Sequence, residues 1–62
     1  MGRYKTEHGI ADLSLIPFIP MIAKRVVITD TKTNRKAEGV DWESYPKAEA
    51  KAMEKLVQQR PK

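Results

Sequence analysis

The stretch Leu13–Ala23, LSLIPFIPMIA, carries Leu13, Leu15, Ile16, Phe18, Ile19, Met21 and Ile22 without a single charge, and Pro17 and Pro20 interrupt it. Proline fixes φ at about −65°, offers no N–H, and turns the preceding residue, here Ile16 and Ile19, toward extended backbone. A helix is therefore not expected. A central strand is not expected either, because proline is confined to sheet edges and bulges. The run is also shorter than the roughly 20 residues a membrane-spanning helix needs. Its length matches the apolar part of a secretory leader. However, the prolines would break that helix, and Glu7 and Asp12 lie where a leader is basic. A cytoplasmic protein is the expectation. The arm must supply a third strand, close an open core, or bind something else.

The chain has 62 residues, no cysteine and one histidine. A domain of this size buries only about 60% of its unfolded surface and needs a staple or a partner. Disulfides are ruled out, and a protein metal site or cofactor is not expected from one histidine and no thiol. Stability must come from a small core, from oligomerisation or from docking.

Residues 1–12, MGRYKTEHGIAD, mix charges without a period and read as a flexible polar tail. Residues 13–62 read as one small ββα domain that includes the apolar arm 13–23. Within it, residues 24–31, KRVVITDT, make a strand: Val26 and Ile28 point to one face, Arg25, Val27 and Thr29 to the other. Asp30–Lys36, DTKTNRK, is a turn. Asp30 bonds ahead to open it, and Asn34 tolerates the left-handed conformation that closes it. A weak edge strand, roughly 35–40, returns through Ala37 and Gly39. Residues 44–59 have a helical period. Ser44 is the N-cap, Pro46 sits in the first turn, and Tyr45, Ala48, Ala52, Met53, Leu56 and Val57 share one face. The helix should end before Pro61. The fold class is α+β: a small β-hairpin of two or three strands, one C-terminal amphipathic helix, and an N-terminal proline-bearing apolar arm.

Twelve Lys and Arg against eight Asp and Glu give a net charge of +4, which favours an anionic partner. Arg25, Lys32, Arg35 and Lys36 cluster on the hairpin, and a two-stranded ribbon can enter a major groove. Lys47, Lys51 and Lys55 recur every fourth residue on the helix and form a supporting ridge. Nucleic-acid binding through these residues is the leading expectation. The order strand, D-x-x-T-N-R turn, strand and helix opening S-x-P-x-A, over Val27 to Leu56, is loosely similar to the arm-DNA-binding modules of tyrosine recombinases. That resemblance implies a sheet that meets DNA with a helix behind it. The chain has two clear strands where those modules have three, and no residue roles are carried over.

The alternative is a small accessory subunit that docks on a larger protein, or on a second copy, through Leu15, Ile16, Phe18, Ile19, Met21, Trp42 and Tyr45. A stiff apolar segment loses little entropy on docking, and aromatic side chains anchor interfaces. A membrane partner is not expected, since only Lys24 and Arg25 flank the arm. Catalysis is not expected. His8 has no nucleophile placed with it, the carboxylates show no paired spacing, and the three glycines form no phosphate loop. A compact, basic, cysteine-free chain would suit a phage or bacterial accessory factor.

Overall fold

Four antiparallel strands and one helix follow one another in chain order: β1 (Arg3–Thr6), β2 (Gly9–Phe18), β3 (Met21–Thr29), β4 (Lys36–Asp41) and α1 (Tyr45–Gln58). The structure is a computed structural model, and it describes residues 2–18 and 20–58, apart from the side chain of Phe18. The strands form a simple meander, β1-β2-β3-β4, and the helix lies on one face against β3 and β4. The α+β class stands, but the sheet has four strands where the sequence led us to expect two or three. The extra strands come from the segment expected as a polar tail and from the arm, for which a third strand was one of three expected uses. Residues expected as a polar tail form β1 and the start of β2, and the arm supplies the rest of β2 and the start of β3.

Pro17 enters β2 for a geometric reason. The Leu13 N–H donates to the Gly2 carbonyl at 2.8 Å, toward the β1 side. In an antiparallel strand every second residue directs its backbone groups to the same side. Leu15 and Pro17 therefore face away from β3. The last β1 pairing within the strands is Arg3 with Asp12, so beyond Leu13 that side of β2 is a free edge. The missing N–H of Pro17 leaves no ladder bond unmade, and the rule confining proline to edges holds locally. Pro20 lies in the turn just before Met21, the partner of Phe18.

Alternation puts Tyr4, Ala11, Leu13, Val26, Ile28, Ala37 and Gly39 on the helix side of the sheet. Val26 and Ile28 are fully buried there under Ala48, Ala52 and Leu56, with Leu13, Tyr45 and Met53 packed around them. β4 is an edge strand, as its small residues imply. The same residues let the helix settle close: a Cβ on Gly39 would stand 2.0 Å from the Ala48 carbonyl oxygen. Val57, placed on the apolar helix face by its spacing, is instead about half exposed. It lies beyond the last buried turn of the helix. The Ser44 hydroxyl accepts from the Lys47 N–H, as expected of an N-cap. Gln59 and Pro61 lie outside the described residues.

The 30–36 turn forms as its residues require. The Asp30 carboxylate accepts from the N–H groups of Lys32 and Thr33, and Asn34 takes φ of 61°. The β1–β2 turn closes around Thr6, whose hydroxyl accepts from the N–H groups of His8 and Gly9. Gly9, with φ of 147°, passes so close to the Thr29 carbonyl that no side chain fits.

Candidate functional site

The two ends of the molecule differ in chemistry. At one end β2 and β3 run on past their outer neighbours. β1 pairs β2 only as far as Asp12, and β4 pairs β3 only from Lys24 onward. The apolar segment is therefore a two-stranded ribbon standing beyond the four-stranded body, in a molecule 41 Å long and 15 Å thick. Leu15, Met21 and Ile22 are 48%, 57% and 56% exposed, and Pro17 and Pro20 are exposed too. Pairing places Leu15, Pro17 and Ile22 on the helix side of the ribbon. Ile16, Met21 and Ala23 fall on the other. Both faces are apolar. Among the expected docking residues, Leu15, Ile16 and Met21 thus belong to the ribbon, and so does the backbone of Phe18. Ile19 lies outside the described residues.

Tyr45 and Trp42 sit at the ribbon's base rather than on it. Tyr45 packs against the core, and its hydroxyl donates to the Ser14 carbonyl at 3.3 Å. Trp42 follows Asp41, the register partner of Lys24, and is about half exposed. Asp41 holds this junction together. One carboxylate oxygen accepts from the Glu43 and Ser44 N–H groups and the other from the Lys51 ammonium at 2.8 Å. The Lys51 hydrogen bond, with the two amides behind it, holds the Asp41 carboxyl down at about 2. Lys51 also donates to the Val40 carbonyl on the outer edge of β4, covering part of an open sheet edge.

The expected basic residues are not gathered on one surface. Arg25 and Lys36 stand on the sheet face away from the helix, with Arg3 and Lys5 beside Asp12 and Glu38. Lys47, Lys51 and Lys55 are on the helix, across the sheet from them. Several are also engaged: Arg25 with Glu38, Arg3 with Asp12, Lys47 with Glu43 and Lys51 with Asp41. Lys32 and Arg35 sit in the β3–β4 turn, at the end opposite the ribbon. There Lys5 and Lys36 share one row across the sheet through Ile10 and Thr29. Lys5, Lys32, Lys36 and Lys55 have no ion-pair partner among the described residues. An open depression of 340 Å³ lies at the same end, between the two turns, lined by Lys5, His8, Asp30 and Lys32 among others. The amides of the 30–36 turn lower the Asp30 carboxyl below its ordinary range, that of Lys32 most.

Sequence reasoning left Ile22, Lys24 and Lys5 out of the candidate sets. Ile22 and Lys24 complete the ribbon and its base, and Lys5 joins the basic end. The near-mirror spacing of large apolar residues on either side of Pro20 was the available signal for a ribbon folded at that proline. Lys5 had no such signal, because its strand has no apolar period. No helix among the described residues is long and apolar enough to cross a membrane, and none of their His, Asp and Glu residues group to hold a metal ion. No protein-family model, curated protein or solved structure matches the chain.

Proposed function

We propose that this chain is a small non-enzymatic binding protein that docks through the projecting β2–β3 ribbon. One observation carries the reading. The most apolar segment of the sequence gives only Leu13 and Ala23 to the buried interior and extends beyond it with Leu15, Met21 and Ile22 about half exposed. A soluble monomer seldom leaves so continuous an apolar element bare without a use for it. Pro17 removes a donor from the β2 edge of the ribbon, which disfavours β-augmentation on that side and leaves the apolar side chains as its main recognition feature.

The test is a charge placed on the exposed tip. Met21→Asp with Ile22→Asp should keep the helical circular dichroism and the unfolding midpoint of the parent. It should also abolish binding of an apolar dye such as anilinonaphthalene sulfonate and raise solubility. Loss of the fold would mean that the ribbon is core, and the reading would be wrong.

Nucleic-acid binding is a second reading, and it moves to the far end of the molecule. Lys5, Lys32 and Lys36 support it there with Arg35, four cations with only Asp30 and Glu7 close by in the surrounding turns.

A further inference from the structure

We infer that the docking partner of the ribbon is an anionic lipid surface, into which the ribbon dips while the body stays in the headgroup layer. The inference rests on the ribbon being the docking element and names what it enters.

The apolar character of both ribbon faces is the first argument. A second copy of the chain, or a flat protein surface, covers one face of a two-stranded ribbon and leaves the other in water. An acyl layer surrounds the ribbon on every side. Leu15, Pro17 and Ile22 would meet it on one face, Ile16 and Met21 on the other.

Charge complementarity is the second. From Leu13 to Thr29 the only charged residues are Lys24 and Arg25, both basic; Arg25 is paired with Glu38, and Lys24 has no ion-pair partner among the described residues. They stand at the ribbon's base on opposite faces, Lys24 toward the helix and Arg25 away from it. Around that end Asp41 is held by Lys51, Glu43 by Lys47 and Glu38 by Arg25. Half-exposed Trp42 lies at the same level, with Tyr45 beneath it. An aromatic and basic collar below an apolar tip is the side-chain order of a membrane–water interface.

Depth and backbone chemistry agree with this. From the Leu15–Lys24 pair to the Phe18–Met21 pair is three strand steps, about 10 Å, the depth to which interfacial elements enter the acyl boundary. Unpaired N–H groups resist such transfer. On the β2 edge Pro17 has none to offer, and Pro20 removes another from the turn; on the β3 edge Ile22 keeps its donor.

The experiment uses the full chain, vesicles of phosphatidylcholine alone or mixed with phosphatidylglycerol, and the emission of Trp42, the single tryptophan. Co-sedimentation with the mixed vesicles and a blue shift of Trp42 are expected, both weaker without the anionic lipid. Met21→Asp with Ile22→Asp should lower partitioning by at least tenfold, and Lys24→Glu by about fivefold or more, since a cation is replaced by an anion. Absence of binding overturns the inference. If the parent chain then forms a dimer that the Asp variant does not, the ribbon still docks and its occupant is a second copy. If parent and variant behave alike in every arm, the docking reading falls as well. Vesicle binding that survives the ribbon variant but is lost with Lys32→Glu and Lys36→Glu is adsorption of the other end, and it overturns the inference too.

Discussion

Gly39→Ala tests the close approach of helix and sheet on which this small core depends. A Cβ at Gly39 would stand 2.0 Å from the Ala48 carbonyl oxygen and 2.5 Å from the Ala52 nitrogen. Both obstacles are helix backbone, which cannot rotate aside as a side chain can. Cβ atoms essentially never come nearer than 3.0 Å, so α1 must retreat by about 1 Å. A gap of about that size forfeits a quarter to a half of each dispersion contact along the opened seam. That seam holds Ala48, Ala52 and Leu56 over Val26, Ile28 and Ala37, which is nearly all of the core. Overpacking costs about 1–3 kcal/mol, and the upper end applies because the whole helix must move. A core this small supplies only about 3–5 kcal/mol in total. With a urea slope of about 1 kcal/mol per molar, the unfolding midpoint should fall by about 2–3 M. Circular dichroism at the helical band during a urea titration measures it. Gly2→Ala is the control, since its Cβ meets only the movable Leu13 side chain, the nearest atom being 3.3 Å away. A Gly39→Ala midpoint within about 0.5 M of the parent would refute the packing argument.

Two further predictions concern the charged groups. Asp41 has a native pKa of about 2 against an ordinary value of 3.8, so its contribution to stability is complete above that ordinary value and is lost as pH falls toward 2. Urea midpoints across that acid range should converge for the parent and Asp41→Asn; a constant difference between them would show that the carboxylate charge is not what matters. For the basic end, affinity for a mixed DNA and RNA oligonucleotide pool should fall steeply with added salt through counterion release and vanish with Lys32→Glu and Lys36→Glu. Salt-independent binding, or binding that the variant retains, would dismiss nucleic acid as the partner of that end.

The elements legible in the sequence are those whose signal is local. Ser44, Pro46 and the spacing of Ala48, Ala52 and Leu56 define the helix over nearly its observed length. Asp30 and Asn34 define their turn, since one offers its carboxylate to the amides ahead and the other accepts a left-handed backbone. Val26 and Ile28 declare a strand and share one of its faces, which the structure shows to be the buried one. β1 and the first half of β2 were missed because Arg3, Lys5 and Thr6 give no apolar alternation. Their strand character comes from the ladder they join, closed by a tight turn at Thr6 and Gly9. The basic residues were legible as types, but their division between two faces and their capture by Glu38, Glu43 and Asp41 were not.

By itself the sequence determined a cysteine-free α+β chain with a capped amphipathic helix, a defined turn and one apolar segment in need of a use. Only the tertiary structure decided what that segment becomes. Its prolines forbid an interior strand but not an edge, and whether residue 17 lies at an edge depends on where β1 stops. That is a property of chain pairing rather than of Pro17. Because β1 and β4 both end short of the tip, the same residues that could have been core are paired with each other and left standing in the open.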